Sequence, residues 1–350
     1  MRSRAVPHRT VIFRLSSLGD ILLTTPFIRA LRKAAGPDAQ IDFVVKEQYA
    51  DLVRYNPHLS AIHMLGSGGG IGALFSLAAG LRKQKYEVVF DLHRSLRTLV
   101  LRALLPSSRK EVINKRTLRR WELVHWKRGI GKYFPHAVER YCETLIPYGI
   151  TPDDNGLEIV IPEDVLGYTA EQVAARLVPH ANPVIGICPG ARHFTKRWPR
   201  EKYVGVGQRL IRELGASILL FGGQEERDVC EEIARQLPTA SVLDLAGSFS
   251  ILETAAAMDA CAVVITNDSG LMHLAAARKR PVVALFGSTT RELGFFPYGT
   301  KSIVVEEEGL SCRPCSHIGL DHCPEKHFRC MLDLGVDDVV GAVQRLMAER

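Results

Sequence analysis

Short apolar runs rich in β-branched residues recur along the chain, and stretches with helical spacing separate them. In the first half the runs cover residues 10–15, 41–45, 61–65 and 87–91, and in the second half 184–188, 217–221, 262–265 and 282–286. Uninterrupted apolar runs of this length are typical of strands buried in a parallel sheet. Their alternation with helical segments, such as residues 271–277, predicts α/β folding throughout.

The two series of strands predict two doubly wound, Rossmann-like domains. A chain of 350 residues is too long for one ordinary core. Prolines and scattered acids between residues 151 and 183 indicate a boundary there. We therefore predict an N-terminal domain over residues 1–168, a C-terminal domain over residues 169–335, and a terminal amphipathic helix over residues 336–350.

The composition is that of a soluble globular protein, with 46% hydrophobic and 24% charged residues. Residues 1–10 are basic and polar and lack the apolar core of a signal peptide. Charged side chains interrupt the longest apolar runs well short of a membrane span. We therefore expect a cytoplasmic protein without a transmembrane segment.

The formal net charge of +7 is concentrated in one part of the chain. Between His93 and Tyr133 there are twelve lysines or arginines and only two acids, Glu111 and Glu122. This stretch predicts an acidic partner, either nucleic acid or an anionic lipid or glycolipid headgroup. A solvated basic surface without a ligand is the alternative.

The loop Asn267-Asp268-Ser269-Gly270 lies between a strand and a helix, where open α/β sheets bind ligands. A helix N-terminus attracts anions, Gly270 allows a phosphate to approach the backbone, and Ser269 offers a hydroxyl. Asp268 is not needed for phosphate binding, so it predicts a sugar hydroxyl as partner. It could instead be a helix N-cap, but residue 271 is Leu and completes no capping box.

Two further loops follow strands of the same domain and predict the rest of a nucleotide diphosphate site. One contains Gly190, Thr195 and Lys196, and the other contains Glu225 and Glu226. Glycines allow close approach, a lysine meets phosphate charge, and a carboxylate suits a ribose diol. Because the chain contains no Asp-x-Asp pair, we expect Lys196 and backbone amides, rather than a metal, to meet the diphosphate charge.

Asp20 follows Gly19 after the first strand and is the candidate general base. A carboxylate there could remove a proton from an acceptor hydroxyl. It could also be an N-cap, but position 23 is Leu, so a capping box is not expected.

Four cysteines, Cys312, Cys315, Cys323 and Cys330, cluster near the C-terminus with three histidines interleaved. The spacing lacks the paired knuckles of a strong zinc signature, so a loop with free thiols is favoured and zinc is the alternative. The glycine-rich segment 66–72 matches a dinucleotide fingerprint only loosely and predicts a flexible loop.

Three motifs together resemble glycosyltransferase family 9, the bacterial ADP-heptose:lipopolysaccharide heptosyltransferases. They are Arg14–Pro26 (RLSSLGDILLTTP), Lys196–Pro199 (KRWP) and Asn267–His273 (NDSGLMH). The resemblance covers nearly the whole chain. It implies a GT-B fold, in which two Rossmann-like domains face a central cleft. It also implies an inverting, metal-independent transfer without a cofactor, with Asp20 as the base.

The resemblance also implies a role for each residue of the donor site. Lys196 would bind the donor phosphates and stabilise departing ADP, Ser269 and Gly270 would contact the diphosphate, and Asp268 would hold the heptose. Glu225 or Glu226 would bind the adenosine ribose, and Phe249 would lie near the adenine. His273 matches the family motif and serves either as a ligand contact or as a structural hydrogen-bonding group.

The basic stretch suits an anionic, lipid-linked Kdo or heptose acceptor at the inner surface of the cytoplasmic membrane. Arg94, Arg97, Arg119 and Arg120 are its candidate acceptor contacts. Transfer of another nucleotide-linked sugar, or nucleotide-sugar epimerisation, is the alternative activity, although no second acid–base pair for an epimerase is evident. A non-catalytic nucleotide-binding or nucleic-acid-binding protein is the alternative of a different class. The donor sugar and the acceptor position stay open.

Overall fold

The computed structural model describes residues 3–66, 68, 70–106, 108–177 and 183–349. Contacts divide the chain into two compact units, each built around one parallel sheet. The first unit comprises Met1–Lys115 and Pro135–Val160, and the second comprises Arg116–Phe134 and Ile161–Arg350. The chain therefore leaves the first unit once, over Arg116–Phe134, before it returns.

Parallel strands form the sheet of the first unit, and helices connect them. The described strands are β1 (Arg9–Phe13), β2 (Gln40–Lys46), β3 (Ala61–Leu65), β4 (Val88–Asp91) and β5 (Arg109–Val112). The described helices are α1 (Leu18–Leu22), α2 (Thr25–Ala35), α3 (Ile71–Lys83), α4 (Leu96–Ala103) and α6 (Ala137–Cys142). Helix α5 belongs to the second unit and is described with it.

The strand order of this sheet is β3-β2-β1-β4-β5, the Rossmann order without its sixth strand. The order in which strands are added to the sheet reverses between β1 and β4, which run parallel and are paired at their ends, Phe13 with Asp91. Apolar residues of β1 and β4 are buried on both faces, which explains their uninterrupted apolar sequences. This reversal point is where an open α/β sheet binds ligands.

The second unit repeats the construction with a larger sheet. Its described strands are β6 (Val184–Cys188), β7 (Ser217–Leu220), β8 (Val242–Asp244), β9 (Val263–Asn267), β10 (Val282–Phe286) and β11 (Ser302–Glu306). Its described helices are α5 (Thr117–Trp126), α7 (Glu163–Ala174), α8 (Arg200–Leu214), α9 (Arg227–Arg235), α10 (Ile251–Ala257), α11 (Gly270–Ala277), α12 (Arg329–Leu332) and α13 (Val336–Ala348).

The strand order here is β11-β10-β9-β6-β7-β8, which places the reversal between β6 and β9. The three loops selected from the sequence follow β6, β7 and β9, so they start from neighbouring strands at one edge of this sheet. The core contains Ile187, Ile265 and Leu285 from the strands and Val339 and Val343 from α13. The terminal helix is thus part of the second unit's core and not a separate element.

The predicted fold class, two Rossmann-like α/β halves, is confirmed by the two sheets. Three details differ. The predicted boundary between residues 168 and 169 falls inside α7, whereas the units change after Val160. Strands β5, β8 and β11 were not predicted, because β5 is mostly charged, β8 has only three residues, and the Ile-Val-Val run of β11 is short, half-exposed and flanked by polar residues. The predicted loop over residues 66–72 extends too far, because α3 begins at Ile71, and residues 67 and 69 lie outside the described part of the chain.

Candidate functional site

In the first unit, the reversal point of the sheet is occupied by an ion pair between Arg14 and Asp20. Arg14 follows β1 directly, and its Nη2 lies 2.6 Å from Oδ2 of Asp20. Its Nη1 donates to the carbonyl of Leu92 after β4, at 2.6 Å. Burial alone would lower the pKa of the Arg14 guanidinium, but the charge of Asp20 raises that pKa above its ordinary value. The arginine therefore links both strand ends and places the carboxylate between them.

The local position of Asp20 differs from the prediction. Helix α1 begins at Leu18, so Ser17 is the N-cap and Asp20 is the third helical residue. The backbone N–H and the hydroxyl of Ser17 donate to Oδ2 of Asp20, at 3.4 Å and 2.9 Å. The expectation that no capping box forms is wrong, because it placed the cap at Asp20 and not three residues earlier. Asp20 thus has a structural partner as well as a partly exposed carboxylate.

Two residues beside this carboxylate were not singled out from the sequence. The hydroxyl of Tyr141 on α6 donates to Oδ1 of Asp20 at 3.3 Å, and burial raises the pKa of this tyrosine above its ordinary value. His93 follows β4, and burial together with the charges of Arg14 and Lys115 lowers its pKa to about 4. Both groups are therefore neutral near pH 7. Tyr141 is a hydrogen-bond donor, and Asp20 is the anion of this cluster.

Arg94 and Arg97, two of the predicted acceptor contacts, follow β4 in the same unit. Their side chains are exposed. The loop that carries them is shaped by Asp91, a buried residue whose Oδ1 accepts the N–H groups of His93 and Arg94 at 3.0 Å and 2.7 Å. Asp91 at the end of β4 thus sets the direction of the basic loop that begins beside Arg14.

In the second unit, the two most informative predicted residues are paired with each other. Nζ of Lys196 lies 2.6 Å from Oδ2 of Asp268, and both side chains are largely buried. The hydroxyl of Thr289, after β10, donates to the same oxygen at 2.7 Å. Asp268 precedes the N-cap of α11, which is Ser269, so it is not the helix cap. A buried cation and anion thus lie together at the reversal point of the second sheet.

Asn267 holds this pair in place and was not assigned a role from the sequence. Its side chain is buried at the end of β9, and its Nδ2 donates to the carbonyl of Pro189 at 2.7 Å. Its Oδ1 accepts the backbone N–H of Trp198 at 3.2 Å and the hydroxyl of Tyr203 at 2.9 Å. One amide therefore joins the β6 loop, the segment after Lys196 and the start of α8.

The N-terminus of α11 offers backbone N–H groups beside Lys196 and Asp268. Ser269 is its N-cap residue, and its hydroxyl makes no capping hydrogen bond. The first N–H groups of a helix lack intrahelical acceptors and attract anions. Gly270 is the first helical residue, and His273 is buried one turn further along. This end of the helix suits a phosphate group.

The two candidate ribose acids differ in their surroundings. Glu226 accepts the N–H of Gly223 at 2.8 Å, and a Cβ added at Gly190 would lie 2.3 Å from its Cγ. Gly190 is therefore required for close packing of the β6 and β7 loops. Glu225 is exposed in the same loop, and Phe249 lies half-buried before α10. Of the two acids, Glu225 has the side chain that is open to solvent.

The segment with the clustered cysteines is hydrogen-bonded to the loops that follow β6 and β10. Thr195 exchanges backbone and hydroxyl hydrogen bonds with Leu320, and its hydroxyl also accepts from Ser288 at 2.9 Å. The N–H of Cys315 donates to the carbonyl of Ser288 at 3.0 Å. Arg313, which is buried, donates to the carbonyls of Gly287 and Thr289 at 2.6 Å and 3.0 Å. This segment therefore supports the loop that carries Thr289.

The cysteine thiols themselves contact other groups. Sγ of Cys315 donates to the carbonyl of Cys312, and Sγ of Cys312 lies 3.8 Å from Nε2 of His327. Burial raises the pKa of Cys315 to about 12 and that of Cys330 to about 11. Over the described ranges, no three His, Cys, Asp or Glu side chains are arranged to hold a metal ion.

Arg119 and Arg120, the other predicted acceptor contacts, belong to the second unit and not to the first. Arg119 donates to the carbonyl of Tyr133 at 2.5 Å and lies over the ring of Phe134. Nζ of Lys127 donates to the carbonyls of Cys312 and Pro314 at 2.9 Å and 2.7 Å. These long-range bonds explain why the segment joins the second unit. The structure thus divides the four predicted acceptor arginines between the units.

None of the described helices combines the length and the apolarity that crossing a bilayer requires.

Comparison with known proteins gives a consistent result. The family model for glycosyltransferase family 9 (heptosyltransferase) matches residues 74–326. Lipooligosaccharide heptosyltransferase 2 of Haemophilus influenzae is 31% identical over 79% of this chain and 82% of that protein. Lipopolysaccharide heptosyltransferase 2 of Escherichia coli is 32% identical over 79% of this chain and 81% of that protein. A crystal structure of a family 9 glycosyltransferase from Veillonella parvula superposes with a TM-score of 0.83 at 26% identity and covers both chains completely.

Proposed function

Because the chain belongs to glycosyltransferase family 9, the heptosyltransferase family, we propose that it transfers heptose from ADP-heptose to the inner core of lipopolysaccharide. The family identifies it as a glycosyltransferase with a GT-B fold. The donor, the acceptor, the residue roles and the stereochemistry are parts of the proposal.

The observation that carries the proposal is the Lys196–Asp268 pair next to the N-terminus of α11. An ADP-sugar presents a diphosphate anion next to a ring rich in hydroxyl groups. Lys196 and the amides at Ser269 and Gly270 suit the diphosphate, and Asp268 suits the sugar hydroxyls. In the proposal, Lys196 exchanges part of its contact with Asp268 for the phosphates when the donor binds.

Glu225, Phe249 and His273 complete the proposed donor site. The exposed carboxylate of Glu225 is assigned to the ribose diol, since Glu226 is engaged with the N–H of Gly223. Phe249 is assigned to the adenine. Gly190 and Thr195 maintain the shape of the loop around Lys196, and the buried His273 supports α11.

In the proposed reaction, Asp20 accepts the proton of an acceptor hydroxyl. The oxygen then forms a bond to the anomeric carbon as the bond from that carbon to the diphosphate breaks, which inverts the configuration. ADP leaves with the electron pair, and Lys196 and the α11 amides stabilise its charge. Arg14 and Tyr141 hold the carboxylate of Asp20 in position for the proton transfer.

The proposed acceptor is an anionic, lipid-linked Kdo or heptose sugar at the inner surface of the cytoplasmic membrane. Arg94 and Arg97 are exposed beside the Asp20 cluster and are assigned to its carboxylates or phosphates. Arg119 and Arg120 belong to the second unit, and Arg119 is bonded to Tyr133. In the proposal they contribute positive charge rather than direct contacts.

Acceptor-dependent release of ADP tests this function. The purified chain is incubated with ADP-heptose, alone and with truncated lipopolysaccharides that end at Kdo, at the first heptose or at the second. The proposal expects ADP release only in the presence of an acceptor, with one truncation preferred. Nucleotide release that does not depend on any acceptor, or none with all three, would contradict it. UDP- or GDP-linked sugars in the same assay test the alternative donors.

Transfer is predicted to continue when divalent metals are removed. If Lys196 and backbone amides meet the diphosphate charge, excess EDTA should change the initial rate by less than about twofold. The rate is measured on protein dialysed against EDTA, with and without added Mg²⁺. Activity that disappears with the chelator and returns with Mg²⁺ would refute metal-independent transfer.

The thiols of Cys312 and Cys315 are predicted to be dispensable for the chemistry. The contacts from this segment to Ser288 and Thr195 use backbone atoms, which a double Cys→Ser variant retains. We expect kcat/KM within about threefold of the wild type. Elemental analysis of the wild type serves as the control: about one zinc per chain, lost together with activity in the variant, would contradict this prediction.

A further inference from the structure

An apolar and aromatic surface lies on the second unit, within the segment Arg116–Phe134 that contains α5. Five of its large apolar side chains are 42–72% exposed, namely Leu118, Trp121, Trp126, Ile130 and Tyr133. In α5 itself, Leu123 is the residue that is buried. The helix therefore presents most of its apolar surface outward, the reverse of a helix that packs on a core.

The rings exposed on α5 form one patch, and Ile130 and Tyr133 are exposed in the loop that follows it. Leu118, Trp121 and His125 follow one another at intervals of three and four residues, so they share a face of α5. The indole of Trp126 meets that of Trp121 edge to face with centroids 4.7 Å apart, and the His125 ring stacks on Trp121. Exposed clusters of this kind mark interaction surfaces, whereas isolated exposed apolar residues are ordinary.

The segment is also basic, but most of its lysine and arginine side chains are half-buried. It contains six lysines or arginines and one acid, Glu122. Arg128 and Lys132 are exposed, whereas Arg119 and Lys127 are half-buried and donate to backbone carbonyls. Nucleic acid binding relies on many outward cations that contact phosphates. Two outward cations beside two indoles and two aliphatic side chains fit an anionic bilayer better.

The patch is held firmly on the second unit. Besides the bonds of Lys127 to the cysteine segment, the N–H of Gly131 donates to Oε1 of Glu292 at 3.0 Å. These bonds tie the loop after α5 at two points. A docking surface fixed in this way would give the second unit a defined orientation at a membrane.

We propose that the patch formed by Leu118, Trp121, Trp126, Ile130 and Tyr133 docks the protein on an anionic lipid bilayer, with Arg128 and Lys132 contacting headgroups. The indoles occupy the interfacial region, where one end of the ring is apolar and the other is hydrated. The inference rests on the proposed function only in that a lipid-linked acceptor would be presented at such a surface. Docking itself requires neither donor nor acceptor.

The three tryptophans of the chain make the test direct, because Trp198 is buried in the second unit's core with 2% of its surface exposed. A blue shift of tryptophan emission on vesicles therefore reports on Trp121 and Trp126. The full chain is titrated with phosphatidylcholine vesicles that contain or lack phosphatidylglycerol, and binding is measured in parallel by flotation. Brominated lipids quench the emission if the indoles enter the acyl boundary.

Two double variants, each with its own control, separate the contributions of the tryptophans and of the cations to vesicle binding. Trp121→Ala with Trp126→Ala is compared with Tyr168→Ala, which removes an exposed aromatic ring from α7. Arg128→Gln with Lys132→Gln is compared with Arg235→Gln and Arg345→Gln, which remove the same charge from exposed sites elsewhere on the second unit. Melting curves verify that each variant is folded.

We expect the wild type to bind anionic vesicles, with blue-shifted and quenched emission, and to bind neutral vesicles weakly. Loss of Arg128 and Lys132 should weaken partition about 25-fold, since each cation near an anionic surface contributes about fivefold. The tryptophan variant should lose at least about tenfold, and both controls should bind as the wild type does. Transfer to a water-soluble acceptor should be unchanged in the tryptophan variant and in both controls.

The inference would be overturned by no vesicle binding, by equal binding of the tryptophan variant, or by a patch that instead mediates self-association in light scattering. Preferential binding of a nucleic acid duplex through the same residues would overturn it as well. Vesicle binding by a wild type that transfers no heptose would support the docking surface and contradict the proposed function, so the two failures are distinguishable.

Discussion

Replacing Asp20 with asparagine is expected to lower kcat for heptose transfer by roughly 10²-fold or more, because general-base catalysis contributes roughly 10²–10⁴ in rate. Affinity for ADP should change little, since Asp20 lies in the first unit and the proposed donor contacts lie in the second. The measurement is single-turnover transfer with saturating donor and acceptor, together with ADP binding by calorimetry.

The structural role of Asp20 requires a matched control. Asp20 also accepts hydrogen bonds from Ser17 and pairs with Arg14, so the variant should be less stable. Ser17→Ala removes the hydroxyl that donates to Oδ2 of Asp20 but keeps the carboxylate. It should reduce the free energy of unfolding by about 0.5–2 kcal/mol while kcat stays within about threefold.

The pH dependence distinguishes a base from a structural acid. If the carboxylate of Asp20 is the base, the low-pH limb of the kcat/KM profile in the wild type should be missing from Asp20→Asn. Turnover of the variant within about threefold of the wild type would exclude Asp20 as the base. His93, whose pKa of about 4 leaves it neutral near pH 7, would then be the next group to test.

Lys196→Ala should weaken ADP binding by roughly 10- to 100-fold, the effect of losing one charge-assisted hydrogen bond of about 1.5–3 kcal/mol. The substitution also leaves Asp268 buried without its cation, which places a carboxylate near the donor diphosphate. Both effects act in the same direction on the donor. Transfer should therefore slow even at saturating acceptor.

Lys202→Ala is the matched control, because Nζ of Lys202 donates to the carbonyl of Leu334 and not to Asp268. The double variant Lys196→Ala with Asp268→Asn tests the pairing. If the lone carboxylate contributes to the defect, the double variant should bind ADP more tightly than Lys196→Ala alone. Unchanged ADP affinity in Lys196→Ala, in a variant with a normal melting temperature, would remove Lys196 from the donor site.

The central strands of both sheets could be predicted from the sequence because they are buried on both faces. Strands β6 and β10 are largely buried and were predicted with the observed bounds, Val184–Cys188 and Val282–Phe286. The edge strand β3 was also predicted with its observed bounds, Ala61–Leu65, from an apolar run that is mostly half-exposed. Strand β5 could not be predicted, since its sequence Arg-Lys-Glu-Val is half-exposed and contains no apolar run. Its charges were interpreted as part of a continuous basic stretch.

The site residues on strand ends could likewise be predicted, but their pairing could not. The short sequences Gly-Asp and Asp-Ser-Gly can each be recognised locally as candidate site loops that follow a strand. The bond between Lys196 and Asp268 joins residues that are far apart in sequence, and so do the bonds of Asn267 and Arg313. No periodicity encodes such contacts. Sequence spacing also left the residues 116–134 with the first domain, whereas Lys127 fastens them to the second unit.

Intact-mass spectrometry of the acceptor tests the central claim most directly. Truncated lipopolysaccharide or its deacylated core is incubated with ADP-heptose and either the wild type or the Asp20→Asn variant, and the acceptor is weighed before and after. The account predicts a gain of one heptose residue with the wild type, in equal amount to the ADP released, and almost none with the variant. An acceptor of unchanged mass while ADP is released, or equal gain with both proteins, would contradict it.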